Sequence, residues 1–380
     1  MINEKLRKWT LTYRLQFTSD IDMKLYFKRV SGIIVVIGLV IAGVNLLNYV
    51  TYDDSDTYTR LMMHELYSQG KIDVVFAGAS HCYRGINPNV LDGELSLNTF
   101  NVSSSSQTID GSEAIVREAL NKYDVSYVVL DVSYSSVRQQ LTKEERAPIE
   151  FNIYGIFLVG DYLHEPLNRF IYLSEATYED KYDRTFFPFR RGKYSKLLHA
   201  KEVIEKKNDV EYKNYYPIEH EDGERYVGKG YVENLNVADE ASYIEPPKDS
   251  RVMLELIQQR WLDCLSDIKN MCDKEGVKLI LINIPEPMPL IASYGNYDDY
   301  INYMNNVSRD LGVEYYNYNL LHEDIMPDER EYFKDNNHLN DRGAKLFSNV
   351  LADTIRDPNL FDSIRYDTIN SKLNSLGYLQ

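Results

Sequence analysis

The sequence predicts a three-layer α/β/α domain built on a parallel β-sheet, with a large insertion and an N-terminal transmembrane helix. Three observations support this fold class. Short, β-branched apolar runs alternate with amphipathic segments, an apolar run of 21 residues stands near the N-terminus, and the alternation pauses for more than a hundred residues before it resumes. Strands that alternate with helices form parallel sheets covered by helices on both faces.

The apolar run occupies residues 30–50 and carries no charged side chain. Its length is sufficient to cross the hydrocarbon core of a membrane. A cleaved signal peptide is the alternative, but the run is long and no A-x-A cleavage site follows it. We therefore expect a transmembrane anchor at 30–50 in contact with membrane lipid, after a cytoplasmic leader at 1–29.

Charge is distributed unevenly along the 380 residues. The formal net charge is −16, yet the first 30 residues carry about +4, which leaves the rest near −20. A basic N-terminal segment and an acidic body predict an N-terminus inside and the body of the chain outside the cell membrane, in a single-pass arrangement. An acidic body also argues against a nucleic-acid partner, because phosphate binding needs a basic surface.

The elements then follow in order. A juxtamembrane helix is expected at 51–71, and the extracytoplasmic domain at 72–380. Each predicted strand is a short apolar run bounded by turn residues. The strands are expected at 72–77, 97–102, 127–132, 277–284 and 313–318. The helices are expected from the serine run at 103–106 to about 123, at 253–275, near 296–310 and from about 340 onward.

Residues 132–250 interrupt this alternation and contain thirteen tyrosines. The stretch is too long for a loop and too aromatic for disorder, which indicates an inserted cap. Arg190 and Arg191, with Lys193 and Lys196, form a basic cluster in it. Ligand sites favour concave seams between a core and a cap, so we expect the cap to cover the strand ends and Arg190 and Arg191 to bind substrate. The alternative is that the tyrosines pack a small core of the insertion itself.

The candidate catalytic residues lie at the ends of the first and last strands. Ser80 follows the first strand after the small residues Gly78 and Ala79, while Asp335 and His338 follow the last strand. The carboxyl ends of parallel strands share one edge of the sheet, where ligands bind. A serine attacks an acyl carbonyl only if a base removes its proton, and imidazole titrates in the useful range. We therefore predict Ser80 as nucleophile, His338 as base and Asp335 as the group that orients the base.

The oxyanion that develops in such a reaction needs hydrogen-bond donors. The backbone N–H of Ser80 or His81 is one source, and Asn101 with the turn at Ser103 is another. The alternative for the serines that follow is a turn that caps the next helix. The two interpretations are compatible.

Two further residues near Ser80 are candidates for substrate binding. His81 either contacts substrate or packs in the core, and Arg84 either binds an anionic or hydroxyl-rich acceptor or forms a salt bridge. Cys82 beside His81 is a weak candidate nucleophile, because adjacent side chains diverge. Nucleotide-binding glycine motifs and metal-ligand spacings are absent from the sequence, so we expect neither a cofactor nor a metal.

These motifs resemble the SGNH/GDSL hydrolase superfamily. The resemblance rests on the G-A-S-H block at 78–81, the N-V-S turn at 101–103 and the D-N-N-H run at 335–338, and it covers 72–131 and 250–356. Ala79 stands where many members have aspartate, and the glycine of the second block and the G-x-N-D block are not evident. The resemblance implies a flavodoxin-like sheet and a Ser-His-Asp triad. With the anchor and the insertion, the chain is most similar to outward-facing members of the DltD-like and alginate-acetylation-like types.

The resemblance implies a membrane-anchored serine esterase or acyltransferase. Its expected substrates are O-acyl groups of a cell-surface polysaccharide (glycan) or a teichoic-acid-type polymer, and a polytopic membrane O-acyltransferase is its expected partner. The alternative is a catalytically inactive protein of the same fold that binds glycan or assembles with such an acyltransferase. Chemical labelling of Ser80 distinguishes these two functions.

Overall fold

The computed structural model describes residues 23–138, 150–177, 182–191, 198–220, 222–244, 254, 257 and 259–378. Within these residues the predicted α/β fold class is confirmed, because five of the strands form one parallel sheet. Each predicted strand is present and slightly shorter than expected. The strands are β1 (Val74–Ala77), β2 (Thr99–Asn101), β3 (Tyr127–Asp131), β4 (Glu224–Gly228), β5 (Tyr231–Asn234), β6 (Lys278–Asn283) and β7 (Glu314–Asn317).

The five-stranded sheet has the order β2-β1-β3-β6-β7. β1 lies between its two successors, and its Phe76 is in register with Asn101 of β2 and Val129 of β3. If only the strands of this sheet are numbered, the order is 2-1-3-4-5, which is the flavodoxin-like order. In this order the chain first adds a strand on one side of β1 and then adds the others on the opposite side, beginning with β3. Ligands of such sheets bind beyond the carboxyl ends of the strands, between β1 and β3 where this change of side occurs. Ser80 follows β1 at this position.

The helices flank the sheet strands and occupy much of the insertion. They are α1 (Met23–Thr51), α2 (Tyr58–Ser68), α3 (Ser80–Gly85), α4 (Pro88–Leu95), α5 (Ile109–Lys122), α6 (Tyr134–Arg138), α7 (Glu150–Gly160), α8 (Pro166–Ala176), α9 (Tyr182–Phe186), α10 (Ala200–Asn208), α11 (Val210–Lys213), α12 (Glu240–Ile244), α13 (Gln259–Glu275), α14 (Met288–Tyr294), α15 (Tyr297–Leu311), α16 (Asp341–Arg356), α17 (Leu360–Ser363) and α18 (Ile369–Ser375). The helix expected at 253–275 begins at Gln259; residues 253, 255, 256 and 258 lie outside the described part of the chain.

Successive residues of each sheet strand face opposite cores, as the two-residue period of a strand requires. On one face, Val75 and Leu281 belong to a core that includes Trp261 of α13. On the other face, Phe76 and Ile282 belong to a second core, which contains buried residues of α16. All of these strand residues are fully buried. Helices therefore cover the sheet on both sides, which is the predicted three-layer arrangement.

The chain divides into two compact units. The first comprises Met1–Asp53 and Phe187–Lys206, and the second comprises Asp54–Phe186 and Lys207–Gln380. In the first unit, residues Tyr26–Thr51 form a helix that is long and apolar enough to cross a membrane. A short turn at Pro188–Arg191 accompanies this helix, and the N–H of Phe189 donates a hydrogen bond to Asn48 Oδ1 at 3.0 Å.

The hairpin of β4 and β5 belongs to the second unit and lies against the edge strand β2. The N–H of Asn101 donates to the carbonyl of Lys229, in the hairpin turn, at 2.9 Å. Gly230 follows with a φ of +77°, and a Cβ there would lie 1.7 Å from the Asn101 carbonyl oxygen. Only glycine fits this close approach of two backbones. The contact brings the hairpin to the carboxyl ends of the strands, where the candidate catalytic residues lie.

Candidate active site

Ser80 is placed at the sheet edge by an abrupt change from strand to helix. β1 ends at Ala77, and Ser80 is the first residue of α3. At Gly78 a Cβ would lie 2.7 Å from the Asp131 Cβ and 3.0 Å from the Cys82 Cβ. Any side chain larger than hydrogen would therefore push β1 away from β3. The small residue predicted at this turn serves close packing of backbone and side chains.

The three predicted catalytic side chains meet at this edge. His338 Nε2 lies 2.8 Å from Ser80 Oγ, and His338 Nδ1 lies 3.0 Å from Asp335 Oδ2. A carboxylate only accepts hydrogen bonds, so Nδ1 carries the proton and Nε2 accepts from the serine hydroxyl. The arrangement has the atoms and the order of contacts needed to activate a hydroxyl nucleophile.

The loop that carries Asp335 and His338 is held by its own hydrogen bonds. Asp335 Oδ1 accepts from the backbone N–H of Asn337 at 2.8 Å and from that of His338 at 2.7 Å. The N–H of Lys334 donates to the His338 carbonyl at 2.9 Å, which closes the loop. These bonds orient both the carboxylate and the imidazole before any substrate binds.

Burial and neighbouring charges set the protonation states of His338 and Asp335. Burial lowers the pKa of His338; the hydrogen bond to Asp335 offsets part of that effect, and the positive charges of Arg84 and Lys334 lower it further. Burial alone would raise the pKa of Asp335, but the hydrogen bond and charge of His338, together with the two backbone amides, hold it well below its usual range. At neutral pH the imidazole is therefore neutral and the carboxylate ionised, which are the states a general base and its orienting partner require.

A second layer of side chains supports the imidazole of His338. The ring of His81 stacks on that of His338 with centroids 4.9 Å apart. His81 Nε2 donates to Asn337 Oδ1 at 2.8 Å and lies 3.3 Å from Glu286 Oε1. Burial and the neighbouring His338 lower the pKa of His81 to about 3. The structure thus packs His81 beneath the loop that carries Asp335 and His338. This position matches the alternative in which His81 packs in the core.

Glu286 was not predicted from the sequence. It follows β6 after Pro285, at the same edge of the sheet, and the hydroxyl of Tyr294 donates to it at 3.1 Å. Burial and the negative charge of Asp131 raise the pKa of Glu286 to about 8. Burial likewise raises the pKa of Asp131, at the end of β3, to about 7. Two carboxyl groups therefore retain protons in the folded protein at a pH where exposed carboxyls have lost theirs.

We expect this buried pair to make the protein less stable as the pH rises from about 6 to about 8. In that range the folded state holds protons on Asp131 and Glu286 that the unfolded chain has released, so unfolding becomes more favourable with each pH increment. Thermal unfolding of the full chain in detergent, followed across this range, measures the effect. Glu286→Gln should flatten the pH dependence, whereas Glu329→Gln, at an exposed carboxyl, should leave it unchanged. A melting temperature that is constant or rises with pH would contradict the protonated state of this pair.

Arg84 is engaged in an ion pair instead of being open to an anionic ligand. Its Nη2 lies 2.6 Å from Glu224 Oε1, on β4, and Lys334 also pairs with this carboxylate. Lys334 Nζ is 3.8 Å from Asp335 Oδ2. Glu224 therefore connects α3, the hairpin and the catalytic loop. Neither Glu224 nor Lys334 was singled out from the sequence.

The turn at 101–103 is fixed by its own polar groups. Asn101 Nδ2 donates to the Cys82 carbonyl at 2.9 Å, and Asn101 Oδ1 accepts from the N–H of Ser103 at 3.1 Å. Both groups predicted as oxyanion donors thus already have partners inside the fold. The backbone N–H groups of Ser80 and His81 lie in the first turn of α3, where a helix supplies no carbonyl partner. Burial raises the pKa of the Cys82 thiol, so it stays protonated and is not a nucleophile.

The other predicted binding residues, Arg190 and Arg191, belong to the first unit, whereas Ser80, Asp335 and His338 belong to the second. Arg190 and Arg191 end the short turn of the first unit, and the Arg191 guanidinium is 5.7 Å from the ring centre of Tyr52. Lys193 and Lys196 fall outside the described residues. The role of Arg190 and Arg191 in substrate binding stays a prediction. No group of three or more His, Cys, Asp or Glu residues in the described part of the chain is arranged to hold a metal ion.

Comparisons with known proteins add the following. No protein-family model matches the chain, and no curated protein matches it. Among solved structures, the chain is similar to a Bacteroides fragilis protein described as a "putative acylhydrolase", with a TM-score of 0.36 and 11% sequence identity. The alignment covers 78% of this chain and 94% of that one. The chemistry proposed below therefore rests on the side chains of this chain.

Proposed function

We propose that this protein is a serine esterase or acyltransferase that cleaves O-acyl esters. The observation that carries the proposal is the contact of 2.8 Å between Ser80 Oγ and His338 Nε2, with Asp335 on the other ring nitrogen. Ser80 Oγ attacks the ester carbonyl while His338 removes its proton, and the developing imidazolium is stabilised by Asp335. His338 then donates that proton to the leaving alkoxide, and an acyl-serine remains. Water or a second hydroxyl attacks the acyl-serine in the reverse sequence of proton transfers.

The tetrahedral intermediate needs donors for its oxyanion. The N–H groups of Ser80 and His81 are proposed for this role, because they lie at the start of α3 beside the nucleophile. A further donor would come from the turn at 101–103, on condition that its internal hydrogen bonds rearrange when substrate binds.

The proposed substrates are O-acyl groups on a cell-surface polysaccharide or a teichoic-acid-type polymer. Two features support this choice: an apolar helix that is long enough for a membrane anchor, and the resemblance of the sequence motifs to outward-facing members of the SGNH superfamily. Transfer and hydrolysis share the acyl-serine and differ in the hydroxyl that resolves it. A polytopic O-acyltransferase is the proposed partner in the case of transfer.

A fluorophosphonate probe tests the proposal directly, because it reacts with activated serines only. Labelling of the full chain, digestion and mass spectrometry should locate the adduct on the peptide that contains Ser80. Ser80→Ala should abolish the adduct, and heat-denatured protein should not react. An intact, folded protein that does not react, or that reacts at another serine, would contradict the proposal.

We expect residues 30–50 to hold the protein in the membrane. The helix exposes an apolar surface along its length, and burial of such a surface in lipid is strongly favourable. After expression in bacterial cells, the full chain should stay in the membrane pellet through an alkaline carbonate wash. Replacement of Val36 and Val40 by lysine should release it, whereas replacement of both by leucine should not. Release of the unmodified chain by carbonate would contradict the anchor.

A further inference from the structure

A cavity of about 240 Å³ in the second unit is lined in part by α3, the helix that begins at Ser80. Its lining comes from the start of α2, from α3, from the turn after β2 and from the hairpin. Arg84 lines it and lies four residues beyond Ser80, which corresponds to about 6 Å along the helix axis. Pockets for drug-sized ligands measure about 300–1,000 Å³, so this cavity suits a smaller unit.

Two buried polar atoms on residues that line this cavity have no hydrogen-bond partner among the described residues. They are Ser104 Oγ and His220 Nε2. Ser104 is 2% exposed. Buried polar atoms normally find partners, since an unsatisfied one costs free energy. Two of them around one cavity indicate that a polar occupant supplies the missing bonds.

The walls combine aromatic surface with these polar atoms. The ring of Tyr58 stacks on that of His220 with centroids 4.5 Å apart, and Tyr226 adds a second tyrosine. The hydroxyl of Ser104 and the imidazole nitrogen of His220 can each donate or accept according to the ligand. Alternating hydroxyls and C–H faces, as in a sugar ring, match such a surface.

The charges in the cavity argue against a phosphate ligand. The charged residues of its lining are Asp56, Arg84 and Glu224. Arg84 and Lys334 share the carboxylate of Glu224, and Lys334 also lies 3.8 Å from Asp335. The two cations are therefore balanced by two carboxylates and offer no net positive charge to an incoming anion.

We propose that this cavity binds one neutral sugar unit of the polymer whose ester is cleaved at Ser80. The inference rests on the proposed function and narrows it, because it selects an uncharged polysaccharide over a teichoic-type polymer. The aromatic pair of Tyr58 and His220 contacts the face of the ring, and Ser104 and His220 bond its hydroxyls. Sugar binding at this position would hold the acyl group of the neighbouring unit near the nucleophile.

Calorimetric titration of the full chain with Ser80→Ala tests the proposal, in a detergent without a sugar headgroup. The probes are hexasaccharides of β-1,4-linked glucose, xylose and N-acetylglucosamine, at up to about millimolar concentration, and a glycerol phosphate oligomer of equal length. At least one neutral probe should bind, and the glycerol phosphate oligomer should not. Adding Tyr58→Ala or His220→Phe should weaken binding at least tenfold. His220→Phe keeps an aromatic ring for the stack and removes both ring nitrogens.

Tyr216→Ala serves as the matched control, because Tyr216 is 53% exposed and does not line the cavity; it should leave the affinity unchanged. Absence of binding by all neutral probes, equal binding in His220→Phe, or binding of the glycerol phosphate oligomer alone would each overturn the inference. Labelling of Ser80 by fluorophosphonate is independent of these results. A labelled protein that binds no neutral sugar refutes this inference alone, whereas an unlabelled one refutes the proposed function.

Discussion

Replacement of Ser80 by alanine is expected to reduce ester hydrolysis by about 10⁴-fold or more, because the reaction loses its nucleophile and the acyl-serine cannot form. The contact between Ser80 Oγ and His338 Nε2 makes the two residues one functional unit. His338→Ala should therefore cost a similar factor, and the double variant should lose no more than either single variant. Turnover of p-nitrophenyl acetate by the purified full chain in detergent measures all three.

Ser126→Ala provides the control for this series. Ser126 is exposed and precedes β3, at the opposite edge of the sheet from the candidate site, so its removal should leave turnover unchanged. Losses of Ser80 and His338 that multiply in the double variant would mean that the two residues act independently. Substantial activity in Ser80→Ala would show that another group attacks the ester.

Replacement of Asp335 by asparagine is expected to lower the turnover rate by about 10⁴-fold while the protein stays folded. The single side-chain oxygen of the asparagine can still accept from the backbone N–H groups of Asn337 and His338, which keeps the loop closed. Its NH₂ group, however, would face His338 Nδ1 and favour the tautomer with the proton on Nε2. That tautomer cannot accept the serine proton.

The pH profile separates this effect from a general loss of structure. For the unmodified chain, kcat/KM should rise with pH along an acidic limb. The midpoint of this limb should lie below the ordinary imidazole pKa of about 6.5, since the pKa of His338 is lowered. In Asp335→Asn this limb should move to still lower pH, because the contribution of Asp335 that raises the pKa is lost. Asp357→Asn, at an exposed carboxyl, should change neither rate nor profile. A limb that moves to higher pH would contradict the proposed role of Asp335.

Much of this site follows from sequence because its chemistry lies at strand ends. The five strands were recognisable as short apolar runs, and a parallel sheet brings their carboxyl ends to one edge. Ser80, Asp335 and His338 could therefore be brought together without knowledge of any side-chain contact. The three-residue spacing of Asp335 and His338 also restricts the geometry in which the carboxylate can contact the imidazole.

The supporting residues could not be found in this way. Glu286 lies at a strand end, but a single glutamate after a proline has no distinguishing pattern, and its function depends on complete burial. Glu224 lies in a hairpin whose contact with α3 comes from tertiary packing alone. Arg84 was ambiguous for the same reason, since only the position of Glu224 decides between a ligand-binding arginine and an ion pair.

The proposed nucleophile and its base are 258 residues apart in the chain, and this separation orders events during biosynthesis. A ribosome releases the N-terminal segment first, at about 5–20 residues per second, so Ser80 emerges well before His338 is made. Until then the serine has no base, and the nascent chain cannot react with esters it meets along its route. The proposed enzyme would thus acquire its reactivity in one late step, when the last part of the chain docks against the sheet.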